Sequence, residues 1–214
     1  MANETKGIPQ PTMERLPMYL NYFKQRKNEG CSQISSADVA LDLRMTAIQV
    51  RKDLACVCEG RPRTGRSTDE IIDALETLLG CREIKQVVIV GAGRLGQALM
   101  GYEGFGRSGF HVAAAFDNDP ARCNVTINGR YVYPMREIGS TIRSLNAEYG
   151  IITVPDTQAQ YVCDILIAAG IKAILNFAPV HLIVPEGIVV KDMDMGASML
   201  YLSNTLAVRA QSER

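Results

Sequence analysis

A chain of 214 residues holds one large domain or two small ones, and 47% apolar against 21% charged residues is ordinary globular composition. No run of about 18 apolar residues occurs, which excludes a membrane-spanning helix, and no basic-then-apolar leader opens the chain, so a cytoplasmic location is expected. The 23 basic and 23 acidic residues cancel, but residues 1–66 carry eleven Lys/Arg against seven Asp/Glu, so only the front suits a polyanion. Six scattered cysteines lack metal-ligand spacing, so no metal is expected, and Cys56-Val57-Cys58 is the one close pair.

Residues 1–11 read as a loose tail. From Thr12 onward, Leu16, Tyr19, Leu20 and Phe23 recur at helical spacing, and Pro17 predicts that the regular part starts close to it. Ser35-Ser36-Ala37-Asp38 starts a second, short helix. Thr46 and Gln49 have the spacing of a capping box that opens a third. On that third helix Ala47, Val50, Leu54 and Val57 share one face, and Gln49, Lys52, Asp53 and Cys56 line the opposite one with Arg51 on the flank. Two short helices about four residues apart, the second with a polar and basic face, read as a helix-turn-helix. The glycine- and arginine-rich stretch Gly60-Arg61-Pro62-Arg63 follows where a winged helix places its wing, and extended arginines of this kind suit a minor groove. Thr46, Gln49, Arg51, Lys52, Arg61 and Arg63 are the candidate contacts to double-stranded DNA. A connecting helix from Thr68 carries Ile71, Ile72, Leu75 and Leu79, which places the end of a DNA-binding domain, 12–80, near Gly80.

Gln86–Val90 is a short β-branched run of the kind that fills a buried parallel strand. Gly91-Ala92-Gly93-Arg94-Leu95-Gly96 follows at once and leads into helix formers. A second apolar run, His111–Phe116, ends on Asp117, 21 residues beyond Gly96. This is the dinucleotide-binding fingerprint in its required strand-turn-helix-strand context. Gly91 makes the turn, Gly93 admits the pyrophosphate, Gly96 lets helix and strand pack, and the helix N-terminus faces the phosphates. Asp117 accepts from the ribose hydroxyls and repels a 2′-phosphate, which favours NAD(H) over NADP(H). A minor strand near Val132-Tyr133, helix Met135–Leu145, strand Glu148–Val154, helix Thr157–Ala169 and strand Ala173–Phe177 continue an α/β alternation, hence a Rossmann doubly wound parallel sheet over 81–195. Loops at the carboxyl ends of such strands border the ligand, which brings in Thr153, Val154, Pro155, Asn176, Phe177, Ala178 and Pro179. The last helix, within 196–214, is apolar on more than one face and calls for burial that a second subunit supplies.

These pieces together resemble the Rex family of bacterial redox-sensing transcriptional repressors. The segments that carry the resemblance are Ile34-Ser35-Ser36, Gln49-Val50-Arg51-Lys52-Asp53-Leu54, Val90-Gly91-Ala92-Gly93, Ala114-Ala115-Phe116-Asp117, Ala173–Val180 and Val184-Pro185-Glu186-Gly187. The resemblance implies a homodimer with an N-terminal winged helix, a Rossmann domain and a C-terminal helix exchanged between subunits. It implies that operator DNA is bound with NAD⁺ or without ligand and released by NADH. Tyr102 matches a family tyrosine near the nicotinamide, and Arg15 and Asp194 match a base and an acid that the family pairs across the dimer. After Leu54 the sequence departs from the usual family pattern through Cys56, Cys58 and Glu59, Arg44 stands where glycine is common, and Arg94 replaces an asparagine. An NAD-dependent oxidoreductase is the rival reading, with His111 and His181 as its only histidines, and a nucleotide-binding relative with an altered DNA role is a third.

Overall fold

The computed structural model describes residues 7–58 and 66–212, so the expectations for Arg61 and Arg63 lie outside the described residues. The chain divides into two compact units, Met1–Glu83 and Ile84–Arg214. In the first, α1 (Gln10–Asn28), β1 (Gln33–Ile34), α2 (Ser36–Asp42), α3 (Ala47–Ala55), β2 (Arg66–Ser67) and α4 (Thr68–Leu78) follow in order. Their core is Leu16, Tyr19, Phe23, Val39, Val50, Leu54, Ile71 and Leu75, the residues that repeat on one side of each helix. Strands β1 and β2 pair antiparallel, Gln33 with Ser67 and Ile34 with Arg66.

Helix α1 starts earlier than its sequence predicts. Pro9 caps it in an extended conformation, and the N–H groups of Thr12 and Met13 bond back to the Pro9 carbonyl. Pro17 therefore lies inside the helix, where its missing N–H costs a single bond to the carbonyl four residues before it. Helix α2 opens with a full capping box, Ser35 and Asp38 each accepting from the other's backbone N–H at 3.2 Å. It closes through a left-handed residue, Arg44 at φ 54, with Met45 N–H bonded to Ala40 O and Arg44 N–H to Leu41 O. The closure is one that glycine makes without a Cβ penalty; here an arginine carries it.

Asp53 corrects the expected polar face of α3. It is buried, 3% exposed, and turned towards α1. Its carboxylate accepts from Thr12 Oγ1 at 2.9 Å, from Arg15 Nε and Nη2 at 2.8 Å each, and from Tyr19 OH at 2.9 Å. Helical spacing alone puts Asp53 beside Gln49; the donors waiting on α1 are what make its burial tolerable.

In the second unit come β3 (Lys85–Val90), α5 (Arg94–Met100), α6 (Glu103–Arg107), β4 (Phe110–Asp117), β5 (Val125–Ile127), β6 (Arg130–Pro134), α7 (Ile138–Leu145), β7 (Tyr149–Ile152), α8 (Asp156–Ala169), β8 (Ala173–Asn176), β9 (Val189–Asp192) and α9 (Met195–Ser212). The strands form one sheet in the order β5-β6-β4-β3-β7-β8-β9. All neighbours run parallel except the β5–β6 pair. The single minor strand expected near Val132 is thus a hairpin, turned by Asn128 and Gly129 at φ 49 and 75. The helix expected from Met135 opens with a tight 3₁₀ turn, Met135–Glu137, before α7 proper. Val88, Val90, Phe116 and Ile152 pack one face of the sheet and Val87, Ile89, Val112 and Ile151 the other, so the central strands are covered on both sides. The connections leave β3 towards β4 and return to β7 on its other flank, which opens a crevice at the carboxyl ends of β3 and β7.

Burial by itself pushes the Asp53 carboxyl up, but the hydrogen bonds from Arg15, Thr12 and Tyr19 outweigh it and hold the group below the usual carboxylate range. A depressed folded-state value stabilises above the ordinary carboxyl pKa and is lost as pH falls through the lower, folded value. Asp53→Ala is expected to cost about 3 kcal/mol in urea unfolding at neutral pH, the low end for a broken buried pair. That difference from the unsubstituted protein narrows below about pH 4. A cost under about 0.5 kcal/mol at neutral pH would mark the network as incidental.

Candidate dinucleotide crevice and DNA-facing helix

The turn after β3 is fixed by atoms rather than by flexibility. Gly91 has φ 105, and a Cβ on it would stand 2.8 Å from the Thr153 carbonyl oxygen. A Cβ on Gly96 would overlap the Gly91 carbonyl oxygen, and 3.0 Å away lies Thr153 Oγ1. The first turn of α5 is therefore pressed directly onto the strand end, as the fingerprint requires. Thr153 locks this arrangement from β7, its hydroxyl donating to Gly91 O at 2.8 Å and its N–H to Val90 O at 2.9 Å. Gln97 Nε2 donates to Ala92 O at 2.9 Å. Over Gly93 the space is open, the nearest atom to a Cβ there being Arg122 Nη1 at 3.8 Å.

Asp117 sits at the end of β4, 5% exposed, and its two carboxylate oxygens accept from Ala92 N–H at 2.7 Å and Asp119 N–H at 2.8 Å. A carboxylate has about four acceptor positions, so two remain for a ribose diol. The acid thus ties the glycine turn to the neighbouring strand and also faces the crevice. Arg122 lies beside it, Nη1 3.6 Å from Asp117 Oδ2 and Nε 3.4 Å from Asp119 Oδ2.

The crevice itself is a cavity of about 760 Å³. Gly91, Gly93, Leu95, Asp117, Thr153, Val154, Pro155 and Phe177 line it, each a residue that the sequence singles out. Met135, Gln158, Tyr161, Val162 and Ile165 line it as well and were not foreseen. Met135, Val162 and Ile165 give the cavity an apolar stretch of wall of the kind that suits a flat aromatic ring. Spacing on α8 held the signal, since Gln158, Tyr161, Val162 and Ile165 recur at i, i+3, i+4 and i+7, though such a stripe alone reads as core. Arg122 and Arg136 also line the cavity and put two cations in its wall.

The other sequence-predicted residues have different surroundings. Ala92 is fully buried and serves through its N–H. Arg94 is an exposed residue at the start of α5. Asn176 is fully buried, its amide donating to Ala178 O, Val180 O and Asp192 Oδ1 while its carbonyl accepts from Ala178 N–H. It staples the loop Phe177-Ala178-Pro179, so that Phe177 reaches the cavity while Ala178 packs into the core. Tyr102 caps α6 with its ring 5.2 Å from that of Phe105, edge to face, outside the cavity lining. Asp194 accepts from Ala197 N–H at 2.8 Å at the head of α9. Arg15 is engaged with Asp53 in the first unit. His111 is exposed near the start of β4, remote from the strand's carboxyl end, and His181 Nδ1 lies 3.2 Å from Asp192 Oδ2; neither lines the cavity.

At the head of α3, Thr46 Oγ1 accepts from Gln49 N–H at 3.2 Å and starts the helix. Among the described residues the reciprocal bond from the Gln49 side chain is absent, so only half of the expected capping box forms and the amide stays available. Thr46, Gln49 and Lys52 border a cleft with Pro9, which caps α1, and with Pro11 and Arg15 of α1. Cys56 is exposed with its thiol 3.4 Å from Lys52 O, and Cys58 is half-buried against the core. Among the described residues there is no metal-binding cluster, and no helix is long and apolar enough to cross a membrane.

Comparison with known proteins agrees with both halves. Residues 7–55 match the family described as "Putative DNA-binding protein N-terminus" and residues 82–180 the family described as "CoA binding domain". The redox-sensing transcriptional repressor Rex of Carboxydothermus hydrogenoformans is 39% identical over 92% of this chain and 95% of its own. The repressor of the same name from Bacteroides thetaiotaomicron is 36% identical over 93% and 91%. Among solved structures, RSP in complex with β-NAD⁺ and operator DNA superposes with a TM-score of 0.89 at 30% identity, over 96% of this chain and 95% of that one. RSP in complex with β-NADH gives 0.88 at 29% identity, over 98% and 99%.

Gly96→Ala is expected to weaken NADH binding at least about fivefold, by an overpacking cost of about 1–3 kcal/mol at the turn. Fluorescence titration checks it, and unchanged affinity would refute the assignment of this turn as the phosphate seat. Identity across nearly the full length of both chains, together with the crevice and the helix-turn-helix just described, makes the chain a member of the Rex family of redox-sensing transcriptional repressors.

Proposed function

We propose that this chain is a transcriptional repressor that reads the NADH/NAD⁺ ratio, holding operator DNA with NAD⁺ or without ligand and releasing it with NADH. The observation that carries the reading is one chain combining a glycine turn locked against Asp117 with a helix-turn-helix whose polar face bears half-buried Gln49 and exposed Lys52. It is a binding protein rather than an enzyme: its relatives are regulators, and neither histidine borders the crevice.

Gly93 and the start of α5 hold the pyrophosphate, Asp117 the adenine ribose, and Met135, Val154 and Val162 flank the adenine. These contacts grip both redox forms alike and so shift no equilibrium. Discrimination belongs to whatever meets the nicotinamide, which is a cation when oxidised and neutral when reduced. Tyr102 is the residue for that task, and Arg15 and Asp194 pair across the dimer in the DNA-binding state. Moving occupancy from 1:99 to 99:1 takes about a 10⁴-fold preference for one state.

The assembly is a homodimer. Met195, Met199, Leu200, Tyr201, Leu202, Leu206 and Val208 of α9 are each more than half exposed, an apolar surface that a single chain leaves in water. A second subunit covers it, with α9 exchanged, and two α3 helices then read a two-fold operator with half-sites spaced by about one helical turn or a multiple of it. Gln49 pairs with an adenine edge, Lys52 and Arg51 with guanine or phosphate, Thr46 with the backbone, and Arg61 and Arg63 follow the minor groove. The protein acts in the cytoplasm, where DNA and the dinucleotide pool meet.

A mobility shift on a selected operator is expected to be strong with NAD⁺ and lost with equimolar NADH; equal shifts with both would overturn the reading. Lys52→Ala is expected to weaken binding on all sequences and lower the salt slope by about one. An unchanged slope would remove Lys52 from the interface.

A further inference from the structure

Helix α6 is five residues long and contains two glycines, Gly104 and Gly106, in Glu103-Gly104-Phe105-Gly106-Arg107. Glycine costs a helix about 1 kcal/mol relative to alanine, so two in five residues is an expensive choice for a helix. Neither has the positive φ that would require glycine. Their surroundings differ. A Cβ on Gly106 would meet nothing within 4 Å. A Cβ on Gly104 would overlap the hydroxyl edge of the Tyr102 ring, 2.5 Å from its Oη and closer still to Cε1 and Cζ.

The ring concerned is unusual in its exposure. Tyr102 is 59% exposed, yet it is held, edge to face with Phe105 at 5.2 Å and seated over Gly104. Its hydroxyl makes no hydrogen bond among the described residues. An exposed aromatic with a free phenol, resting over a bare Cα that leaves room for its ring, is a side chain placed for contact with something else.

We propose that Gly104 is a positioning residue: its missing side chain is the seat that fixes the Tyr102 phenol for the redox response. The inference rests on the reading above that Tyr102 takes part in the switch. Because the obstructed atoms are the far end of a mobile side chain, a methyl group at 104 expels the ring and leaves the helix backbone in place. It should therefore alter discrimination between redox forms without weakening the adenine half of the site.

The test compares Gly104→Ala, Gly106→Ala and Tyr102→Ala in the full-length protein. For each, the NADH concentration that half-releases operator DNA in fixed NAD⁺ is measured, together with affinity for ADP-ribose, which lacks the nicotinamide. Gly104→Ala and Tyr102→Ala are expected to shift the release midpoint at least about fivefold, the lower end of coupling between linked sites. ADP-ribose affinity stays within about twofold in both, and Gly106→Ala, which gains the same helix propensity, changes neither quantity. If Tyr102→Ala shifts the midpoint but Gly104→Ala behaves like Gly106→Ala, the seat is refuted and the reading of Tyr102 survives. If Tyr102→Ala leaves the midpoint where it was, the reading fails and the proposal falls with it. A loss of ADP-ribose affinity in Gly104→Ala would make the effect a general disturbance of the domain and also overturn the proposal.

Discussion

The dinucleotide half depends on the absence of one atom. Because Gly96 has no Cβ, the first turn of α5 rests on the carbonyl of Gly91, and Gly93 and Leu95 at the head of that helix line the crevice. Everything that makes the crevice specific is built around that contact. Thr153 arrives from β7 and bonds the Gly91 carbonyl; Asp117 arrives from β4 and takes the Ala92 N–H. Three adjacent strands are thereby tied to one loop, and the acid proposed to hold a ribose is kept in register with the turn proposed to hold a pyrophosphate.

The DNA-binding half is organised around a buried charge instead. Asp53 gathers Thr12, Arg15 and Tyr19, so the angle between α1 and α3 is set by directional bonds rather than by apolar packing alone. The consequence is that the inner face of α3 is pinned by the same cation, Arg15, that the proposed switch engages. In the proposed switch, a pull on Arg15 would reach α3 through this shared ion pair.

Much of this was legible in the sequence because it rests on local rules. Gly91, Gly93, Gly96 and Asp117 follow from strand, turn and helix in succession, and each falls where the fingerprint puts it. The parallel sheet follows from alternation of β-branched runs with helical ones. What was not legible depends on contacts distant in the chain. Asp53 lies 38 residues from Arg15, and nothing local to α3 says that its carboxylate has donors. Met135, Tyr161 and Ile165 look like core until the sheet brings two helices beside Asp117. Pro17 misled because a proline usually opens a helix, whereas here Pro9 and Pro11 had already done so. Only one minor strand near Val132-Tyr133 is legible in the sequence, since its hairpin partner β5 has only three residues.

The central claim is that one crevice takes either redox form and that their competition governs the grip on DNA. Operator occupancy measured against the NADH/NAD⁺ ratio, first at one saturating total dinucleotide concentration and then at about ten times that total, tests it most directly. The account predicts two coincident curves, because at saturation only the ratio decides which form fills the crevice. Curves that separate with total concentration, or occupancy that ignores the ratio, would contradict it.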